Sequence, residues 1–237
     1  MSNPYFEFKQ FTIYQDQCAM KVCTDACVLG AWFAPKIPDV ATVLDVGSGT
    51  GLQMLMLAQK SEAEIHGIEI DLSAFGQLKQ NIQASPWKNR MKVYPGDARN
   101  YQFPCRYDFI ISNPPFYEND LRAETDSDNL ARHSKSLTFA ELVSIVDQQL
   151  LPHGSFGVLL PFHRVEEFII SCRQHSLFMI EKLLVKQTPK HEYFRAVLRF
   201  SRFRQRFIPE AALIIQRDNG LYTREFTEMM RPYYLNM

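Results

Sequence analysis

The sequence predicts an α/β fold with a doubly wound, mostly parallel sheet, and three observations support this prediction. Strand-like apolar segments alternate with helix-like amphipathic segments along the 237 residues, which is typical of βαβ units. The first predicted strand ends in a run of glycines that leads into a helix. The last two predicted strands are only a few residues apart, and so short a connection makes an antiparallel hairpin. We therefore expect a seven-stranded sheet with one antiparallel strand in a C-terminal hairpin.

Each predicted strand is a short, mainly apolar or alternating segment, and the predicted helices carry apolar residues at helical spacing. The Ser85-Pro86 step ends the second helix, because the residue before a proline avoids helical geometry. Pro152 and Gly154 stop the third. The predicted strands are 42–46, 64–70, 91–94, 107–112, 155–160, 178–186 and 192–203. The predicted helices are 52–60, 72–84, 138–151 and 165–175.

The composition is that of an ordinary globular protein, with 46% hydrophobic and 22% charged residues. This usage excludes an intrinsically disordered chain. The 26 basic and 26 acidic side chains balance to zero net charge, which excludes a highly basic protein overall. No apolar run approaches the ~18–20 residues of a membrane span, and residues 1–14 lack the apolar stretch of a signal peptide. The length is that of one large domain, which we expect to span residues 1–237.

The five cysteines show neither a disulfide pattern nor a zinc pattern. Their number is odd, and no CxxC pair exists. The spacing of Cys18, Cys23 and Cys27, without a fourth ligand nearby, does not match structural zinc. We therefore expect no metal site, reduced thiols and a cytoplasmic location.

A glycine-rich loop follows the first predicted strand. It has the pattern D-x-G-x-G-x-G over residues 45–51, with Asp45, Gly47, Gly49 and Gly51 in the defining positions. This differs from the dinucleotide G-x-G-x-x-G and from the P-loop, so a dehydrogenase is excluded. Asp45 is placed to pair with a cationic amine, which suits the amino-acid end of S-adenosylmethionine better than a pyrophosphate. The alternative is a tight strand–helix turn without a ligand.

Acidic residues follow the next two predicted strands. Glu69 and Asp71 come about twenty residues after the glycines, where α/β nucleotide sites place an acid for ribose hydroxyls. Asp97 follows the third strand, where a carboxylate can accept from an adenine amine. Each acid alone is often a solvated loop charge, but their shared position at strand carboxyl ends indicates a ligand site. Glu69 is favoured over Asp71 for the ribose, and the choice between them stays open.

The fourth predicted strand ends in Asn113, Pro114, Pro115 and Phe116. The Asn113 oxygen and the Pro114 carbonyl can both accept hydrogen bonds from one exocyclic amine. Phe116 offers a flat apolar face on which a base can stack. This set of groups predicts a site that acts on an amine without needing a strong base. The alternative is a proline-rich turn that caps a strand.

The segments DVGSGTG, GIEID, GD and NPPF together resemble the class I S-adenosylmethionine-dependent amino-methyltransferases with an N/D-P-P-Y/F/W signature. Residues 6–32 and the ASPWKNR segment at 84–90 are similar, more narrowly, to bacterial tRNA(Val) adenine-N6 methyltransferases that modify A37 beside the anticodon. Cys23 and Cys27 depart from that family's pattern. The resemblance implies a Rossmann-like methyltransferase fold, S-adenosylmethionine as cofactor and tRNA as partner.

The resemblance also implies a role for each matching residue. Asp45 and the three loop glycines would surround the methionine part of the cofactor, Glu69 would hold the ribose and Asp97 the adenine. Asn113 and Pro114 would bind the target N6 amine, and Phe116 would stack on the flipped adenine. The N-terminal segment 1–40 would cover the cofactor, with contacts from Lys21, Thr24 and Asp25.

A basic segment near the C-terminus is a candidate RNA-binding surface. Between residues 186 and 206 there are seven basic residues and one acid. Arg195 and Arg199 should share one face of the last strand with Tyr193, and the alternative is a charged edge strand that resists sheet pairing. The polar segment 117–136 is predicted to be a mobile flap near the target base. The predicted RNA-binding residues are Arg132, Lys186, Lys190, Arg195 and Arg199, with Lys9 and Lys135 as further candidates.

Two other functions remain open from the sequence. Methylation of a protein glutamine amide also uses an N-P-P-Y type loop, although the basic segment and the N-terminal block argue against it. A non-catalytic RNA-binding protein with a vestigial cofactor fold is the second, and the intact glycine and NPPF motifs argue against that.

Overall fold

The computed structural model describes residues 3–18, 20–39, 41–114 and 137–237. The predictions for Pro115, Phe116, Arg132 and Lys135, and for a flap at 117–136, therefore lie outside the described residues. The ten strands within those ranges are β1 (Tyr5–Glu7), β2 (Thr12–Tyr14), β3 (Thr42–Val46), β4 (Glu64–Glu69), β5 (Met91–Pro95), β6 (Tyr107–Ser112), β7 (Leu150–Pro161), β8 (Phe178–Lys186), β9 (Arg195–Ser201) and β10 (Glu210–Ile214). The six α-helices are α1 (Thr24–Phe33), α2 (Leu52–Ala58), α3 (Leu72–Ala84), α4 (Phe139–Gln149), α5 (Val165–Gln174) and α6 (Arg224–Met230).

The central sheet has the order β10-β8-β9-β7-β6-β3-β4-β5. β9 is antiparallel to both of its neighbours, β7 and β8. All the other neighbouring pairs in this sheet are parallel. The prediction of a mostly parallel α/β sheet with one antiparallel strand is therefore confirmed.

The described part of this sheet has eight strands rather than the expected seven. The additional strand is β10, which lies at an edge and pairs in parallel with β8. Its burial pattern has only Leu213 fully covered, so its sequence lacks the strong alternation that marks a half-buried strand. A separate two-stranded hairpin, β1–β2, was also not expected.

Helices cover both faces of the sheet, as a doubly wound fold requires. One core joins sheet residues such as Val43 and Val197 to α1, α2, α3 and α6. The other joins residues such as Leu44 and Leu198 to α4 and α5. Neighbouring residues of β3 and β9 thus belong to opposite cores, because successive strand side chains point to opposite faces.

The connection between β5 and β6 covers its part of the sheet without a helix. Residues 96–106 are all described, and none of them is helical. Instead, the rings of Tyr101 and Phe103 lie 5.1 Å apart and pack against the α4–α5 core.

The N-terminal hairpin packs against the C-terminal end of the chain. Phe8 forms an antiparallel bridge with Tyr234. The Lys9 ammonium donates to the carbonyls of Arg231, at 2.6 Å, and Met237, at 2.7 Å. Lys9 was a reserve candidate for RNA contact, and that role stays a prediction. In the residues described, no helix is long and apolar enough to cross a membrane.

Candidate active site

The carboxyl ends of β3, β4, β5 and β6 meet at one edge of the sheet, which we call the cofactor edge. These four strands are mutually parallel neighbours, so the residues that follow them are brought together. The Ser112 hydroxyl donates to the Val46 carbonyl at 2.8 Å, which joins the end of β6 to the end of β3. The candidate residues Asp45, Glu69, Asp97 and Asn113 therefore occupy one edge, as the sequence predicted.

The glycine loop turns the chain from β3 into α2. Gly47, Gly49 and Gly51 have φ angles of +75°, +53° and +87°, which glycine adopts without steric strain. A Cβ at Gly47 or Gly49 would meet no atom of the described residues within 4 Å, so the loop backbone faces open space in this part of the structure. A Cβ at Gly51 would lie 2.7 Å from Leu78 Cδ1 of α3. The first two glycines leave room for a ligand, and the third allows close packing with α3.

The Glu69 carboxylate connects the end of β4 to the glycine loop. Its Oε2 accepts from the Gly49 N–H and its Oε1 from the Asp71 N–H, both at 2.8 Å. Each carboxylate oxygen has a further lone pair that can accept from a ribose hydroxyl. Asp71 instead caps α3, because its Oδ1 accepts from the Ala74 N–H at 2.9 Å.

Asp45 has a buried carboxyl group that forms no ion pair with any residue in the described ranges. The residue is 1% exposed, and neither carboxylate oxygen has a hydrogen-bond partner among the described residues. Burial, with the negative charge of Glu69 as a second cause, raises the pKa of Asp45 to about 8. An uncompensated buried charge is costly, so the site favours a cationic group from a ligand.

Asp97 is held by an arginine that the sequence analysis missed. The Arg99 Nε lies 2.9 Å from both Asp97 carboxylate oxygens, and its Nη2 lies 2.6 Å from Oδ2. These hydrogen bonds keep the pKa of Asp97 below its usual value. The Arg99 Nη1 also donates to Glu141 of α4 at 3.0 Å. The D-x-R spacing of residues 97–99 was the only sequence signal for this contact.

Lys21 and Asp25 of the N-terminal segment make contacts within the protein itself. The Lys21 ammonium donates to the backbone carbonyls of Gln15 and Cys18. Asp25 accepts from its neighbour's amide, Ala26 N–H, at 3.0 Å and from the Arg195 Nε at 2.8 Å. Thr24 is the first residue of α1. The predicted cofactor contacts of Lys21, Thr24 and Asp25 remain predictions.

Two buried amides of α3 hold the N-terminal segment beside the glycine loop. Asn81 Nδ2 donates to the carbonyls of Thr50 and Tyr14, and its Oδ1 accepts from the Tyr14 N–H. One turn earlier, Gln77 accepts from the Gln17 N–H at 2.8 Å and donates to Asp16. Sequence reasoning missed both residues, although two amides four apart on an apolar helix face were a visible signal.

The basic C-terminal segment does not form one exposed surface. Arg199 donates to the Ser155 hydroxyl at 3.0 Å, and burial lowers the pKa of its guanidinium. The Arg195 and Arg199 side chains are only 28% and 26% exposed. Tyr193 packs against the α4–α5 core and Phe194 against the opposite one. Strand β9 begins only at Arg195, so these two residues do not follow its alternation of faces. Arg195 and Arg199 share one face of β9, as predicted, but that face is largely covered and Tyr193 does not belong to it.

The same segment also runs along β9 from one end of the strands to the other, so its basic residues are divided between the two ends. Arg195 pairs with Pro161 at the carboxyl end of β7, so the β8–β9 connection, with Lys186 and Lys190, lies at the cofactor edge. Ser201 pairs with Ser155, six residues before Pro161 along β7. The arginines after Ser201 are thus about 20 Å from the cofactor edge, at 3.3 Å per strand residue.

Comparison with known proteins assigns the family. The model of the methyltransferase small domain family matches residues 30–152. A relative from Dyadobacter fermentans, named tRNA1(Val) (adenine(37)-N6)-methyltransferase, is 39% identical over 237 residues, which cover 98% of each chain. The chain belongs to the tRNA1(Val) (adenine(37)-N6)-methyltransferase family. A second relative with this name, from Bacteroides thetaiotaomicron, is 37% identical over the full length of both chains.

Solved structures support the methyltransferase fold. A predicted O-methyltransferase from Agrobacterium tumefaciens superimposes with a TM-score of 0.69 over 90% of this chain and 100% of its own. The two sequences are 17% identical, so this similarity concerns the fold alone.

The residues of this methyltransferase fit S-adenosylmethionine, the cofactor of its family. The unpaired Asp45 carboxylate matches the ammonium of the cofactor's amino-acid end, and the open space at Gly47 and Gly49 admits that end close to the backbone. Glu69 and Asp97 follow at the ends of β4 and β5, in the order in which ribose and adenine follow the methionine part.

Proposed function

We propose that this protein transfers a methyl group from S-adenosylmethionine to N6 of adenosine 37 in tRNA1(Val). One observation carries the proposal: the buried Asp45 carboxyl group, which has no hydrogen-bond partner in the part of the chain that the structure describes, lies on the same sheet edge as Asn113. The full-length similarity to relatives named for this reaction supports the choice of substrate.

Bound S-adenosylmethionine supplies an electrophilic methyl group on its sulfonium. Asp45 binds the cofactor's ammonium, Glu69 accepts from its ribose hydroxyls and Asp97 accepts from its adenine amine. Asn113 Oδ1 and the Pro114 carbonyl accept the two N–H groups of the target amine. Those two hydrogen bonds orient N6 and increase its electron density, so attack does not require a strong base. The proton that N6 loses on methylation leaves to solvent.

We further propose that residues 1–237 act as one methyltransferase domain, in which residues 1–40 cover the cofactor. The Asn81 and Gln77 contacts support this arrangement, because they hold residues 14–17 beside the glycine loop. All five cysteines are free, which together with a tRNA substrate supports a cytoplasmic location.

The test is a methylation assay with labelled S-adenosylmethionine, total RNA and total protein, followed by mass spectrometry of nucleosides from a tRNA1(Val) transcript. We expect N6-methyladenosine in the transcript and none in a matched transcript with A37 replaced by guanosine. Label in protein would instead support glutamine methylation. An absence of S-adenosylhomocysteine binding in calorimetry would support a non-catalytic RNA-binding protein.

A further inference from the structure

The sheet extends past the candidate catalytic residues on the β7 side. Ser112 of β6 lies opposite Val158 of β7, and β7 continues for three more residues to Pro161. At about 3.3 Å per residue this extension rises about 10 Å above Ser112, the residue before Asn113. The start of β9 and the end of β8 reach the same height, since Arg195 pairs with both Pro161 and Val185. These three strand ends form a wall beside Asn113.

Two aromatic side chains lie at the top of this wall. The ring centroids of Phe162 and Tyr193 are 5.6 Å apart, with an angle of 46° between the ring planes. The Phe162 N–H donates to the Phe194 carbonyl at 3.1 Å, which fixes the Phe162 backbone to the start of β9. Tyr193 is half-buried against the α4–α5 core, whereas Phe162 is 40% exposed. We call this pair the aromatic platform.

One lysine lies against the aromatic platform, and a second follows it four residues later in the β8–β9 connection. The Lys186 ammonium lies 4.6 Å from the centroid of the Tyr193 ring. The Lys190 side chain is 78% exposed, and its ammonium is 3.7 Å from an Asp218 carboxylate oxygen, too far for a hydrogen bond. An open hollow of about 350 Å³ lies beside Tyr193, lined also by Gln187, His191, Glu192 and Phe194.

Exposed aromatic rings with adjacent lysines are the combination that binds single-stranded nucleic acid, because bases stack on the rings and phosphates pair with the charges. We propose that the aromatic platform stacks an unpaired base of the RNA substrate that neighbours the target adenosine, and that Lys186 and Lys190 bind its phosphates. The inference rests on the proposed function, since it assigns a subsite of the same RNA. It makes Phe162 and Tyr193 positioning residues for the target base.

The chain offers a matched control at the opposite edge of the sheet. Phe207 is 78% exposed and lies in the segment after β9, which also contains arginines. It therefore shares an exposed ring and basic surroundings with Phe162, but it follows the far end of β9, where Ser201 lies about 20 Å from Arg195. Its substitution tests whether any exposed ring would have the same effect.

The experiment measures affinity and methylation kinetics for an unmethylated tRNA1(Val) transcript. We expect Phe162→Ala and Phe162→Leu each to raise the Kd and KM by about 5- to 150-fold, the range for loss of one base–aromatic stack. Phe162→Trp should retain binding, because it keeps a flat ring, and Phe207→Ala should bind as the parent does. Lys186→Gln should reduce the magnitude of the salt slope of log K by about 0.7–0.9, whereas Phe162→Leu should leave it unchanged. S-adenosylhomocysteine affinity and melting temperature report whether each variant is folded.

The outcomes separate this inference from the proposed function. If the parent protein methylates A37 and Phe162→Leu does so with unchanged KM and Kd, the proposed stacking role of the aromatic platform is wrong, whereas the proposed methyltransferase function is retained. Equal losses in Phe162→Leu and Phe207→Ala would also overturn the platform, since position would then not matter. A parent protein that neither binds nor methylates the transcript would overturn both.

Discussion

The Arg195 Nε lies 2.8 Å from Asp25 Oδ2, which joins the start of β9 to the first turn of α1. The two residues are 170 positions apart, and both side chains are largely covered. Arg195 is therefore part of the structure around the N-terminal segment. This contact changes what its substitution is expected to do.

We expect Arg195→Gln to lower S-adenosylhomocysteine affinity and the free energy of unfolding, because Asp25 would keep a largely covered charge without this partner. Asp25→Asn should have similar effects. The double variant should show a coupling energy of about 0.5–3 kcal/mol, measured by urea denaturation and calorimetry. Additive effects would show that the ion pair contributes nothing. The tRNA salt slope, measured at saturating cofactor, tests separately whether Arg195 contacts phosphate.

Asp45 should couple cofactor binding to proton release. With a pKa of about 8, its carboxyl is mainly protonated at neutral pH, and pairing with an ammonium requires it to ionise. The logarithm of the S-adenosylhomocysteine affinity should therefore rise by up to about 1 per pH unit between pH 6 and 8. Calorimetry in buffers of different ionisation enthalpy measures the released proton. Asp45→Asn should lose this release and weaken binding by roughly 1.5–3 kcal/mol; unchanged proton release would exclude Asp45 as its source.

The same pKa predicts how the stability of the cofactor-free protein depends on pH. Because the folded pKa lies above the ordinary value of 3.8, the folded chain holds a proton that the unfolded chain has lost between about pH 4 and 8. The Asp45 contribution to the free energy of unfolding should therefore decrease as pH rises through this window. Urea denaturation of the parent and Asp45→Asn proteins isolates it, and parallel pH curves would contradict the prediction.

Asn113→Ala should abolish methyl transfer while leaving S-adenosylhomocysteine affinity nearly intact. The physical reason is that its side chain is proposed to bind the target amine rather than the cofactor. Single-turnover assays with tRNA1(Val), together with calorimetry, measure the two properties separately. If cofactor affinity falls as far as activity, the assigned role is wrong.

Asn81→Ala should lower the free energy of unfolding by about 1–3 kcal/mol, since it leaves the buried Thr50 carbonyl and the part-buried Tyr14 N–H and carbonyl without their partner. It should also weaken S-adenosylhomocysteine binding, because Asn81 positions the glycine loop. Gln83→Ala is the matched control, on the exposed side of the same helix. Equal behaviour of the two variants in denaturation and calorimetry would show that the buried amide has no positioning role.

The cofactor loop could be predicted from sequence because its determinants are local. The strand, the three positive-φ glycines and the start of α2 all lie between residues 42 and 52. The acids at the ends of β4 and β5 followed from the rule that parallel strands end at one edge. The bounds of α3 and β6 were also correct, since a Ser-Pro step ends α3 and an apolar run marks β6.

Tertiary structure decided the features that depend on contacts between distant residues. Edge strand β10 is stabilised by its pairing with β8. Its own sequence has little alternation, so it could not be predicted from the sequence. The basic segment 186–206 looked continuous, but antiparallel β9 carries its two ends to opposite edges of the sheet. The sequence by itself thus determined the cofactor loop, the order of the acids and the Asn113 motif, which local backbone geometry and strand direction specify. The pairing of Asp25 with Arg195, of Arg99 with Glu141 and of Asn81 with Thr50 was decided only by folding, because packing selects these partners from residues far apart in the chain.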